Sequence, residues 1–215
     1  MESEVIDLPT PRILKFKLKE DILDHLSKLS DKYDDGEQQW MLIDDNNRFR
    51  NEVLNTVIGQ YINTYNIPFS PKTTFCHSFT FQKFWCNRMS KGEYQALHNH
   101  DAVFSFIIWL KIPFSCEKER EVFDSMHPEP GSVSFVYSDI TGIHRKHSFL
   151  LDDSFDGTML FFPSDLFHIV NPFFTSDSFR ISIAGDIAIN SLNPGEPLNT
   201  GMPLGPMNSQ EFLTS

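Results

Sequence analysis

A mainly β domain, an antiparallel sandwich or jelly roll braced by N-terminal helices, is the fold class this sequence predicts. Three observations carry the expectation. From Lys72 onward apolar residues alternate in short runs bounded by Gly or Pro, as half-buried strands do. Two earlier segments space their apolar residues at helical intervals. The chain also holds 21 Phe against 5 Tyr and 3 Trp, which suits strands around a bulky, dry interior.

Taken in order, Arg12 to Leu18 reads as a short strand through Ile13, Leu14, Phe16 and Leu18. Ile22 to Leu29 and Phe49 to Ile62 read as helices. In the second, Val53, Leu54, Val57, Ile58 and Tyr61 form a stripe that must pack on something. The acidic stretch Asp31 to Glu37 between them reads as a solvated loop and not a metal site. Phe75, His77, Phe79 and Phe81 alternate along the next strand. Further strands are expected at Ala96–His100, Phe104–Ile112, Ser132–Tyr137, His147–Leu151, Thr158–Phe162, Phe167–Asn171 and Phe179–Ile187. Ser191 to Ser215, with four Pro, three Gly and no Lys or Arg, reads as a tail that wraps the domain or is disordered. The organisation is then a strand-and-helix segment over 1–71, a β core over 72–190 and a tail over 191–215.

Composition narrows the function. Hydrophobic residues make up 40% and charged residues 22%, which excludes a disordered or coiled-coil chain. A formal charge of -11 argues against a nucleic-acid backbone or an anionic membrane as main partner, since both need a basic face. No run reaches the roughly 18 apolar residues of a membrane span. Met1 to Pro11 carries no secretory leader, and Cys76, Cys86 and Cys116 show no CxxC spacing. A cytoplasmic protein with reduced thiols is expected.

Three polar features interrupt the apolar strands. His98 and His100, in Leu97-His98-Asn99-His100-Asp101, fall two residues apart on a strand and so project to one face. His168 stands among Phe residues, where a buried imidazole needs partners for both nitrogens. Arg180 and Ser182 share a face twelve residues later, and an inward guanidinium must meet an anion. His-x-His, a long gap, His, then Arg-x-Ser is the pattern of a non-haem iron site with an anchor for a dicarboxylate.

Over roughly Trp85 to Asp186 the sequence resembles the 2-oxoglutarate- and Fe(II)-dependent oxygenases, most of all the uncharacterised 2OG-Fe(II) oxygenase group of bacteria and their viruses. The resemblance is carried by Trp85-Cys86-Asn87, Asn87-x4-Gly92-x5-His98, His98-Asn99-His100, and Trp109-Leu110-x-x-Pro113. The most specific block is Gly157-x4-Phe162-Pro163-Ser164-x3-His168-x-Val170-x-Pro172, followed by Arg180-Ile181-Ser182-Ile183. The wider superfamily reads His-x-Asp/Glu where this chain has His100; the nearest group reads His-x-His. Three arrangements are open: His98, His100 and His168 all bind the metal; a bulge brings Asp101 in place of His100; or one His of the pair stands behind the ligands.

The resemblance implies a double-stranded β-helix of the jelly-roll, cupin-like kind. It implies Fe(II), 2-oxoglutarate as cosubstrate and O2, with His98, His100 and His168 on the metal. Arg180 and Ser182 would hold the distal carboxylate, and Asn87 would bond the cosubstrate or a ligand. The implied activity is a dioxygenase that hydroxylates a peptide side chain, prolyl hydroxylase-like, or a small metabolite, releasing succinate and CO2. Such chemistry needs a reducing compartment, the host cytoplasm if the chain is virus-encoded. Phe104, Phe106, Phe135, Phe161 and Phe162 would form an oxidation-resistant wall. The charged loops Phe114–Pro130 and Ser138–Lys146, with Tyr94 and Trp109, are candidates to flank the mouth. The competing readings are a three-His cupin-type dioxygenase that needs no 2-oxoglutarate and a non-catalytic jelly-roll module for binding or structure.

Overall fold

Two antiparallel sheets share an apolar layer in the computed structural model, which describes residues 12–32, 44, 47–65, 77–122 and 129–191. In chain order the elements are β1 (Leu14–Lys17), α1 (Glu20–Asp31), α2 (Asn55–Tyr65, entered through a π-helical turn at Arg50–Leu54), β2 (His77–Met89), β3 (Gln95–His98) and β4 (Phe104–Lys111). There follow α3 (Cys116–Val122), β5 (Ser132–Ser138), β6 (His144–Leu150), β7 (Thr158–Pro163), β8 (Phe167–Val170) and β9 (Arg180–Ser191). The larger sheet runs β1-β7-β4-β9-β2 and the smaller β3-β8-β5-β6. This is the jelly roll expected. The expected acidic loop beyond Lys32, the strand start at Phe75 and Cys76, part of the Phe114–Pro130 loop, and the tail beyond Ser191 lie outside the described residues. Among the described residues no helix is long and apolar enough to cross a membrane.

Alternation sorts the larger sheet into two faces. On β4, Phe104, Phe106 and Ile108 point one way, joined by Met159 and Phe161 of β7 and by Ile183 and Ile187 of β9. That face carries the helices. Ile22, Leu26 and Leu29 form the buried stripe of α1, whose first turn holds Glu20 and Asp21 where the helix dipole favours anions. Phe49 stacks on Phe84 at 5.8 Å, and Tyr61 meets Phe104 and Phe161 edge-on at 5.2 and 5.4 Å. The opposite face sends Trp109, Leu160 and Phe162 toward Val133, Phe135 and Val170 of the smaller sheet. Phe104 and Phe161 therefore brace helices instead of walling the site; Phe135 and Phe162 remain in the wall. Alternation shows which residues share a face, and the helices decide which face they take.

Two local features align the inner face. The β2–β9 ladder pairs Phe81 with Ile187 but Lys83 with Asp186, so Gln82 is an extra residue on β2. Such a bulge inverts the alternation. Phe79 and Phe81 before it, and Phe84 after it, all reach the helix side, while Trp85, Asn87 and Met89 turn inward. Gly185 lies opposite Phe106 in the β4–β9 ladder, and a Cβ there would sit 2.5 Å from the Phe106 ring. Only glycine lets that ring lie flat against the strand.

Candidate metal centre

His98 and His168 are direct partners in the β3–β8 ladder, which places two imidazoles side by side on one face. His100 arrives differently from the expected strand alternation. β3 ends at His98, and the following turn is tied down by the His100 N–H, which donates to the Ser164 carbonyl at 3.0 Å. The three rings converge, with centroids 4.2 Å (His98–His168), 5.1 Å (His98–His100) and 5.2 Å (His100–His168) apart. One nitrogen from each lies within 4.8 Å of the others. Asp101 is exposed and outside this cluster.

Each imidazole is oriented by its Nδ1. His98 Nδ1 donates to the Ala96 carbonyl at 2.6 Å, His168 Nδ1 to the Leu166 carbonyl at 3.0 Å, and His100 Nδ1 meets Asp186 Oδ2 at 3.0 Å. A carbonyl can only accept, so the proton of His98 and of His168 sits on Nδ1 and the Nε2 lone pair is left free. Burial, with a smaller contribution from the two neighbouring rings, pushes His168 down to about 4, so it is a neutral donor at physiological pH. Three neutral nitrogens that close together fit a divalent first-row metal such as Fe(II).

The cluster opens on a cavity of about 430 Å³. Its mouth runs along Gln95 to Asn99, and its floor is Phe135, Phe162 and Val170. Asn87 also lines it, buried, with Oδ1 accepting from Trp85 Nε1 at 3.2 Å. Asn87 lies on β2. Among the described residues of the two loops expected at the mouth, 114–122, 129–130 and Ser138–Lys146, none lines the cavity, and the second segment is mostly strand β6 and a turn in which Asp139 binds Thr141, Ile143 and Arg145; residues 123–128 lie outside the described residues. Tyr94 is exposed and stands outside the lining.

Arg180 and Ser182 lie outside the lining, Ser182 paired with Asn87 across the β2–β9 ladder and Arg180 two residues further on, paired with Met89. The guanidinium is 1% exposed and donates to the Asn171 carbonyl at 3.1 Å and to Met89 Sδ at 3.2 Å, with Phe173 and Phe114 flanking it at 5.6 and 6.0 Å. Among the described residues no carboxylate stands at ion-pair distance, and burial pulls Arg180 down to about 10. Two other donors share this dry region. Among the described residues, Trp109, opposite Ser182 in the β4–β9 ladder, buries an indole N–H that finds no acceptor, and the Ser182 hydroxyl forms no hydrogen bond. A buried cation beside idle donors is a place for an anion.

Sequence reasoning missed Asp186. It is buried, lines the cavity, accepts from Ser105 Oγ at 2.8 Å and meets His100. The signal was available: Arg180, Ser182, Ala184 and Asp186 follow at two-residue steps, so strand alternation carries the Arg-x-Ser face on to Asp186.

Residues 83–186 match the family model described as "Putative 2OG-Fe(II) oxygenase". Members use Fe(II), 2-oxoglutarate and O2, and His98, His100 and His168 could hold the iron. Among solved structures the chain is similar to an oxidoreductase of the 2OG-Fe(II) oxygenase family from Burkholderia pseudomallei, at 14% identity over 82% of this chain and 84% of that one, TM-score 0.48. It is also similar to a Pseudomonas putida prolyl-4-hydroxylase, at 14% identity over 83% and 93%, TM-score 0.49. No curated protein matches the sequence.

Proposed function

We propose that this chain is a 2-oxoglutarate-dependent hydroxylase in which His98, His100 and His168 hold Fe(II) and Arg180 anchors the cosubstrate. The observation that carries the reading is the arrangement on one inner face: three free Nε2 positions at one end and, at the other, a buried guanidinium with no carboxylate at ion-pair distance among the described residues. Iron, 2-oxoglutarate and O2, when bound, would supply the oxidising chemistry that places one oxygen atom of O2 on a C–H bond and the other in the succinate formed from the oxo acid as CO2 leaves.

The protein's own part is positional. The Nδ1 contacts lock the three rings, so the metal meets a rigid donor set. Arg180 offers a planar fork to the distal carboxylate, and Ser182 and Trp109 add an O–H and an N–H from the same side. Asn87, whose carbonyl accepts from Trp85, lines the cavity and has an amide N–H to offer the cosubstrate. Phe135 and Phe162 keep water from the rings they flank; their centroids lie 5.7 and 5.3 Å from that of His168. An extended peptide suits the mouth, because among the described residues β3 is an edge strand whose outer backbone can pair with another chain.

Anaerobic titration with Fe(II) and then 2-oxoglutarate is the test. A visible metal-to-ligand charge-transfer band, lost in Arg180→Ala while metal stays bound, supports the reading, as does succinate release under air with candidate peptides. Iron binding with substrate turnover in the absence of any oxo acid overturns it in favour of a three-His dioxygenase. Failure to bind Fe(II) or Mn(II) with all three histidines intact favours a non-catalytic module.

A further inference from the structure

We propose that Asp186 is the positioning carboxylate of the metal centre, acting through His100; the inference rests on the metal reading above. Two of the three imidazoles lean on neutral carbonyls, and only His100 leans on a carboxylate, 3.0 Å from its Nδ1. Asp186 is 1% exposed, and its other oxygen accepts from Ser105 Oγ, which in turn meets Ser164 Oγ at 2.8 Å. Ser164 also receives the His100 backbone N–H. His100 is thus held at two points by one connected group of buried polar residues drawn from β4, β9 and the turn after β7.

Charge makes the same point. A carboxylate this deep needs a positive partner, yet among the described residues Asp186 has no Lys or Arg at ion-pair distance, only His100. Arg180, on the same face of the same strand, cannot serve. Six residues of strand set the two roughly 20 Å apart at the Cα atoms. β9 therefore buries two charges of opposite sign far apart, an anion behind the metal-facing histidine and, at the far end, a cation that feels the buried Glu119 carboxylate instead. A metal ion on His100 Nε2 balances the first through the ring, as in carboxylate–histidine–metal relays. It also returns to a three-imidazole site the single negative charge that a ligating carboxylate would have carried.

Titration calorimetry of the full-length chain with Mn(II) alone, and visible spectra with Co(II), test this. Asp186→Ala is expected to weaken Mn(II) binding about 10- to 100-fold. Asp186→Asn, which keeps the shape and an acceptor for Nδ1–H, loses less affinity and shifts the Co(II) bands while three imidazoles remain. If Asp186 acts through His100, Asp186→Ala changes Mn(II) affinity by less than about twofold when added to His100→Ala. An equal loss in both backgrounds overturns the proposal, because Asp186 then acts on the metal or the fold independently of His100. Unchanged Mn(II) affinity in both Asp186 variants also overturns it, and leaves the metal reading standing. A wild-type chain that binds no metal removes both. Asn at 186 answers the question should Ala not fold.

Discussion

His98 and His168 stand opposite each other on neighbouring strands with ring centroids 4.2 Å apart, and each turns its Nδ1 back onto a carbonyl two residues earlier. The ladder sets their spacing and the carbonyls set their tautomers, so the pair is ready before any ligand arrives. Replacing either by Ala is expected to reduce Mn(II) affinity by at least about 100-fold, more than any change behind the ligands. Calorimetry on folded variants, checked by circular dichroism, measures it. Retained affinity in His168→Ala would remove the triad.

Arg180 separates binding of the oxo acid from binding of the metal. Arg180→Ala is expected to raise the 2-oxoglutarate Kd by about 30-fold or more, the loss typical of truncating a buried charge-paired group, with Mn(II) affinity unchanged. Arg180→Met is expected to give an apo protein of higher Tm than wild type, since a lone buried cation is removed. Added 2-oxoglutarate should then raise that Tm no further.

Trp109→Phe tests the idle donor next to it. Losing a buried N–H that has no acceptor should leave the apo protein as stable as wild type or slightly more so. The same change should weaken 2-oxoglutarate by about 5- to 10-fold, one hydrogen bond to a charged group. Unaltered 2-oxoglutarate affinity would confine Trp109 to the core.

Gly185→Ala should destabilise the fold by about 1–3 kcal/mol, as overpacking does. The added methyl would meet the Phe106 ring at 2.5 Å and the Lys83 carbonyl at 3.1 Å. Urea denaturation gives the value, and Phe106→Leu in the same chain should restore part of it.

Alkaline pH should unfold the protein through two buried groups. Burial pushes Cys116 up to about 11 and Tyr61 up to about 12, and each donates its proton to a backbone carbonyl. Each acid holds its proton longer when folded than when unfolded. Between the unfolded and folded values the native state binds more protons, so stability falls as pH rises, from about 9 for the thiol and about 10 for the phenol. Each contributes up to about 2–3 kcal/mol. Cys116→Ala and Tyr61→Phe should each flatten the fall in Tm above pH 9, and a curve unchanged in both would contradict the assignment.

Much of the site was legible because its residues lie at strand periods or in short motifs. His98, His100, His168, Arg180 and Ser182 could be named from spacing alone, and continuing the β9 alternation by two more steps reaches Asp186. Asn87 was legible as a residue but not in its placement. Its inward turn depends on the bulge at Gln82, and nothing in a run of alternating Phe signals where one extra residue enters a ladder. Phe104 and Phe161 were placed in the wall for a related reason. Periodicity groups Phe104 with Phe106 and Phe135 with Val133, but it is blind to which group meets the helices.

The sequence by itself determined the jelly-roll class, the periodicity of each strand and the residue types that could carry iron chemistry, because alternation and side-chain chemistry are local properties. Tertiary structure decided which residues meet. His98 faces His168 across a ladder, His100 reaches them from a turn held by Ser164, and Asp186 stands behind His100 from a strand 86 residues further along the chain. Such contacts depend on ladder register and sheet-on-sheet packing, which local pattern leaves open until the strands have paired.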